Sequence, residues 1–196
     1  FYDVNKIKPH ELGTMSFGQR FTITPIQMIT AAAAIANDGV LVQPQIVDHI
    51  TNTDTGEVTT KKKKKVRQVF SKETSDKVAS MMESVVEVGT GKKVKYDDSI
   101  KDSMSGYSIG GKTGTSEPIN GSTDGYIASF LAISPVENTK IVLLVIWNTP
   151  GEGVNHNGGQ IAAPTAGKML SEILPYMGIE TGNKDSETNG NISEKD

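Results

Sequence analysis

Two apolar runs dominate the last third of the chain, YIASFLAIS over 126–134 and KIVLLVIW over 140–147. Odd and even positions are apolar alike, which predicts strands covered on both faces. Only the PVENT segment and its immediate neighbours separate the runs, too short for a helical crossover, so the strands pair antiparallel. A sheet buried on both sides needs helices on both sides. GGQIAAPTAGKMLSEILPYM (158–177) supplies one: Ile161, Thr165, Met169 and Ile173 recur on one face, with Pro164 tolerated in the first turn. Trp147, closing the second run, is expected in the core.

Two further helices precede them. Thr24-Pro25-Ile26-Gln27 combines an N-cap, a first-turn proline and the glutamine of a capping box. The alanine-rich MITAAAAIAND follows, and Gly39 is placed to stop it. Four consecutive alanines predict a slim helix that neighbours approach closely. Ser71 opens the second helix, whose Val78, Met81, Met82, Val85 and Val86 form an amphipathic stripe ended by Gly89. Residues 40–70 read as extended, with a turn at TNTDTGE through Asp54 and Gly56. Lys61–Lys65 fall on a solvated hairpin arm; a contact with an anionic surface is the sharper alternative. The stretch 89–108 is polar and reads as irregular. Beyond Gly178 almost nothing is apolar, and 179–196 reads as a disordered polar tail.

Composition narrows the function classes. Net charge is −3 and the pI about 5.7, which excludes nucleic acid as the expected partner. There is no cysteine, hence no disulfide or thiolate metal site. His10, His49 and His156 lack ligand spacing, so no metal and no cofactor is expected; His156 lies in a loop, PGEGVNHNGG, that can border a cleft. No nucleotide-binding loop is present. No apolar run reaches about 18 residues, so no span is expected, and no signal peptide is visible. The chain opens at Phe1 in what reads as mid-domain sequence, which suggests a piece of a longer protein.

The candidate chemistry sits before the apolar runs, in GGKTGTSEP. On a strand, Lys112 and Gly114 point to one face and Thr113 and Thr115 to the other. Lys112 is a fixed cation, the threonines offer hydroxyl donors suited to a carboxylate, and Gly110, Gly111 and Gly114 let something approach the backbone. On an edge strand, free N–H groups can pair with an extended peptide or stabilise an oxyanion. Alone, such a triplet is also an ordinary strand start with a solvated lysine.

Lys-Thr-Gly is the third signature of penicillin-binding proteins and class A β-lactamases, beside S-x-x-K and S-D-N. The wider pattern resembles class B penicillin-binding proteins: ELGTMSFGQRFTITPIQMITAAAAIANDGVLVQPQIV resembles the stretch after their S-x-N motif, VVEVGTGKK the helix end before their third motif, and GGKTGTSEP, GYIASFLAISPVENTKIVLLVIWNTP and GGQIAAPTAGKMLSEIL follow in the same order and spacing. The resemblance covers roughly residues 1–178 and is strongest to vegetative and sporulation enzymes of clostridia and bacilli. It implies an α+β fold, the serine β-lactamase-like transpeptidase fold, with an antiparallel sheet between helices. It maps the third motif onto Lys112, Thr113 and Gly114, gives these and the hydroxyls of Thr113 and Thr115 to a substrate carboxylate, and puts an oxyanion-hole N–H on Thr115.

The departure is equally specific. No serine has lysine three positions on, and none has asparagine two positions on. The nucleophile, its lysine and the S-x-N residues would then precede Phe1, making 1–178 the C-terminal part of a transpeptidase domain. The function implied is peptidoglycan D,D-transpeptidation through a serine acyl-enzyme that β-lactams also form. Water as acceptor would make it a D,D-carboxypeptidase or β-lactamase, and a dead site a sensor or scaffold. The implied partners are peptidoglycan stem peptides, β-lactams, the upstream part of the same protein and cell-wall synthesis proteins, at the extracytoplasmic face of a membrane through an upstream anchor.

Overall fold

The computed structural model describes residues 3–19, 21–117, 125–151 and 153–182. Its centre is a three-stranded antiparallel sheet of β5 (Gly110–Ser116), β6 (Ile127–Ser134) and β7 (Ile141–Asn148), in the order β5-β6-β7. The hairpin expected from the two apolar runs is there, with Phe130 opposite both Thr113 and Val145. β5 is an edge.

Helices cover both faces. On one side Phe130, Ala132 and Val145 pack against Ala162, Ala163, Ala166, Leu170 and Leu174 of a helix at Gly158–Tyr176, joined by Val86, Val94 and Met104. On the other, Ile133 and Val136 meet Ala79 and Met82, with Ile35, Ala36, Leu131 and Val142 alongside. In chain order the helices are α1 (Pro9–Met15), α2 (Pro25–Ile35), α3 (Lys72–Glu87), the single turns α4 (Lys93–Tyr96) and α5 (Lys101–Met104), and α6 (Gly158–Tyr176).

Thr24 and Gln27 form the capping box of α2: Gln27 N–H donates to Thr24 Oγ1, and Thr24 N–H to Gln27 Oε1 at 3.0 Å. The stop comes through Gly39 at φ +78°, where an added Cβ would run into the Phe70 carbonyl. Between α2 and α3 runs a projecting arm. β1 (Val40–Val42) pairs with β4 (Lys65–Gln68), and further out β2 (His49–Thr51) pairs with β3 (Val58–Thr60). Every residue from 43 to 69 is exposed, the lysine run included.

Several expectations need correction. The buried line of α3 is Ser75, Ala79, Met82 and Val86, whereas Met81 is 66% exposed. The helix lies rotated from its most apolar stripe because small Ser75 and Ala79 allow contact; Ser75 Oγ donates to the Ile35 carbonyl at the end of α2. The inner face of α6 is likewise not the Ile161–Met169 stripe but the glycine, alanine and leucine line next to it, with Met169 41% exposed. Small residues win here because the helix lies so close to its neighbours that a Cβ on Gly167 would overlap the Val94 carbonyl and the Ile100 side chain. Pro164 lies inside the helix, beyond the first turn. Trp147 is not core: burial along β7 ends at Val145, and Trp147 is 45% exposed. Ile179 packs on the core and Gly182 N–H donates to the Gly106 carbonyl at 3.0 Å, so the chain stays docked through Gly182. The remainder of the expected tail, 183–196, lies outside the described residues.

The stretch 89–108, expected to be irregular, holds α4 and α5 and buries Val94, Ile100, Met104 and Tyr107. Lys95 is carried inward with them, its side chain 10% exposed and its Nζ 2.7 Å from Glu87 Oε1. Tyr96 donates its hydroxyl to the other Glu87 oxygen. Burial pulls the Lys95 ammonium down, but the hydrogen bond and charge of Glu87 outweigh it and raise its pKa above the ordinary 10.5. A raised folded-state pKa stabilises below about pH 10.5 and the contribution fades as pH rises through the folded value. Glu87→Gln is expected to cost about 2 kcal/mol near neutrality and to flatten the loss of melting temperature between about pH 10 and 12. Melts of both proteins across that range check it.

Candidate active site

Lys112-Thr113-Gly114-Thr115 lies in the middle and second half of edge strand β5. Thr113 and Thr115 sit opposite Phe130 and Ala128, on the α6 face; Lys112 and Gly114 sit opposite Leu131 and Ser129, on the face of α2 and α3. The alternation expected from the sequence therefore separates two groups of side chains.

The free edge is defined by its carbonyls. Lys112 Nζ folds over to donate to the Thr113 carbonyl at 2.6 Å. Gln19 Nε2 reaches across from the segment after α1 to donate to the Thr115 carbonyl at 3.2 Å. In a strand the N–H and C=O of one residue point to the same side, so the Thr115 N–H also projects at the open edge. A cleft of about 480 Å³ opens there, lined by Thr14, Phe17, Gln19, Thr115, Glu117, Tyr126 and His156. His156 stacks on Tyr126, ring centroids 4.0 Å apart and 18° from parallel, so this loop does border the cleft.

The hydroxyls are engaged on the other side. Thr113 Oγ1 is 2.9 Å from Thr90 Oγ1. Thr115 Oγ1 donates to Asn157 Oδ1 at 3.2 Å and accepts from Gly158 N–H at 3.1 Å. The Thr115 hydroxyl, expected to meet a substrate carboxylate, thus has donor and acceptor both in use at the start of α6. Gly114 has an internal reason as well: an added Cβ would overlap Ser129 Oγ. Gln19 and Asn157 were not singled out from the sequence. Gln19 lies inside the FGQ segment of the family-like stretch, and Asn157 directly precedes the Gly-Gly that opens α6.

Toward the Ser116 end the sheet loses its cover. Ile127 and Ile146 are 40% and 41% exposed, and Phe17, Phe21, Ile23 and Ile26 of the nearby chain segment are exposed too. No helix among the described residues is long and apolar enough to cross a membrane.

A three-stranded antiparallel sheet between helices, with Lys-Thr-Gly on its exposed edge, defines the class of serine β-lactamase-like transpeptidase folds. The chain matches the penicillin binding protein transpeptidase domain over residues 5–171 and belongs to that family. Stage V sporulation protein D of Bacillus subtilis is 32% identical over 188 residues, covering 91% of this chain and 27% of that protein. Peptidoglycan D,D-transpeptidase FtsI of Escherichia coli K12 is 30% identical over 175 residues, covering 87% and 26%. The chain therefore spans just over a quarter of the length of these relatives. Among solved structures, the transpeptidase domain of Burkholderia pseudomallei penicillin-binding protein 3 superposes with a TM-score of 0.70 at 29% identity, over 91% of this chain and 50% of that one. A mycobacterial penicillin binding protein 3 complexed with aztreonam gives 0.77 at 26% identity, over 93% and 41%.

Proposed function

We propose that this chain supplies the Lys-Thr-Gly side of a peptidoglycan D,D-transpeptidase site. The observation that carries the reading is the placement of Lys112–Thr115 on an open sheet edge, with the Thr115 carbonyl, and hence its N–H, directed to a cleft. An extended peptide can add to that edge. The serine that attacks comes from outside residues 1–196, since no S-x-x-K occurs within them. Residues 1–178 are then the C-terminal part of the catalytic domain.

The serine oxygen adds to the penultimate D-alanine carbonyl of a stem peptide. The Thr115 N–H donates to the oxyanion that forms. The amide C–N bond breaks, the terminal D-alanine leaves as an amine with the proton taken from the serine, and an ester remains. An amine of a neighbouring strand attacks that ester, giving the cross-linking amide and returning the serine. Lys112 holds the terminal carboxylate, while the Thr113 hydroxyl stays with Thr90 on the opposite face of the strand. A β-lactam acylates the same serine, and its carboxylate takes the same place. The protein acts at the extracytoplasmic face of the membrane, held by an anchor outside this chain, alongside other cell-wall synthesis proteins.

The test is labelling of the full-length protein with a fluorescent penicillin, mapping of the label, and product analysis with two stem peptides. One label on a serine outside 1–196, and amide product, are expected. No label, or a label within 1–196, overturns the reading. Hydrolysis without cross-linking makes it a carboxypeptidase or β-lactamase, and labelling without any peptide turnover a sensor.

A further inference from the structure

We infer that Gln19 and Asn157 are positioning residues that together fix the Thr115 N–H at the β5 edge. The inference rests on the transpeptidase reading and extends it to two side chains that do not touch the reacting atoms. Thr115 has three polar atoms. Its carbonyl oxygen accepts from Gln19 Nε2 at 3.2 Å, from the side of the cleft. Its hydroxyl, on the face turned toward α6, donates to Asn157 Oδ1 at 3.2 Å and accepts from Gly158 N–H at 3.1 Å. Among the described residues, the N–H is the polar atom of Thr115 that no side chain takes up. The peptide plane is held from the edge and the side chain from the face, so neither rotation about the strand axis nor a slip of the strand end is free.

The need for such a clamp is local. β5 ends at Ser116, one residue past Thr115. The last pairs of an edge strand have a neighbour on one side only and open most readily. An oxyanion donor must sit within a few tenths of an ångström of where the charge develops, and a preorganised donor is worth far more than one that must be recruited. Asn157 also ties the strand to the helix. It directly precedes α6, whose Gly158 lies so close to the Gly114 and Ser129 carbonyls that a Cβ has no room. That backbone contact makes α6 a rigid reference for the strand.

The experiment uses the full-length protein and rapid-mixing acylation by a fluorescent penicillin, resolved into initial affinity and acylation rate constant. Gln19→Ala and Asn157→Ala are each expected to lower the rate constant about five- to tenfold, with initial affinity within twofold. Asn157→Asp keeps an acceptor for the Thr115 hydroxyl and is expected to retain the wild-type rate within about twofold. In a Thr115→Val background, where the hydroxyl is gone, Asn157→Ala is expected to have no further effect. A purely structural role would instead lower melting temperature and affinity with the rate and would not be rescued by aspartate. Wild-type rates in both alanine variants, or an Asn157→Ala loss that multiplies fully onto that of Thr115→Val, overturn the inference while leaving the transpeptidase reading intact. A wild-type protein that penicillin does not acylate overturns both.

Discussion

Gly158→Ala is expected to cost about 3 kcal/mol of stability and to slow acylation more than any other single change near α6. The added methyl would occupy the space of the Gly114 and Ser129 carbonyl oxygens, on two adjacent strands. Neither can retreat cheaply. Gly114 and Ser129 face each other in the ladder, and moving one oxygen breaks the register that also sets Thr115 opposite Ala128. Overpacking of this kind ordinarily costs about 1–3 kcal/mol, and backbone on both sides puts the position at the upper end. The alternative is for α6 to lift, which would expose Ala162, Ala163 and Ala166, all now fully buried. Lifting also pulls Gly158 N–H and Asn157 off the Thr115 hydroxyl. Thermal melts and penicillin acylation of the full-length variant check both parts. A melting temperature within about a degree of wild type would mean that α6 docks less tightly than described. For contrast, Gly151→Ala has nothing within 4 Å of its added Cβ and is expected to be silent.

How far the fold was legible depended on whether one side chain or a sum over neighbours decided each element. Capping of α2 was readable because Thr24, Pro25 and Gln27 act within one turn. The β6–β7 hairpin was readable because two doubly apolar runs joined by a short loop have few alternatives. The rotations of α3 and α6 were not. An amphipathic stripe ranks positions by how apolar they are, but a helix that must lie close to a sheet ranks them by how small they are, and Ser75, Ala79, Gly158 and Gly167 carry no signal on the first scale. The short turns α4 and α5 were hidden for a related reason. Their surroundings are rich in Lys and Asp, yet Val94, Ile100 and Met104 turn inward and Lys95 is accommodated by Glu87, eight residues back. Of the proposed site, Lys112–Thr115 could be picked out from the motif and its family resemblance, and their facing from strand alternation. The partners of Thr115 could not, because Gln19 and Asn157 lie 96 and 42 positions away in sequence and meet it only in the folded chain.

Lys112→Ala in the full-length protein is expected to slow penicillin acylation at least tenfold, about 1.4 kcal/mol of barrier, with little change in melting temperature. The side chain is exposed and rests on the Thr113 carbonyl, so its removal leaves no cavity and no buried group unpaired. What is lost is a cation at the edge where a peptide carboxylate would lie, and among the described residues no ion pair ties that cation to anything else. The contact with Thr113 is an ion–dipole interaction that a carboxylate can outcompete, since a charged acceptor makes a shorter and roughly twofold stronger hydrogen bond than a neutral one. Lys112→Arg separates charge from shape. It keeps the positive charge but replaces a compact ammonium with a planar fork, and is expected to fall between wild type and alanine. An alanine variant that folds normally and acylates at the wild-type rate would remove Lys112 from the site. An arginine variant as slow as alanine would show that the geometry of the ammonium, and not its charge alone, is what the carboxylate requires.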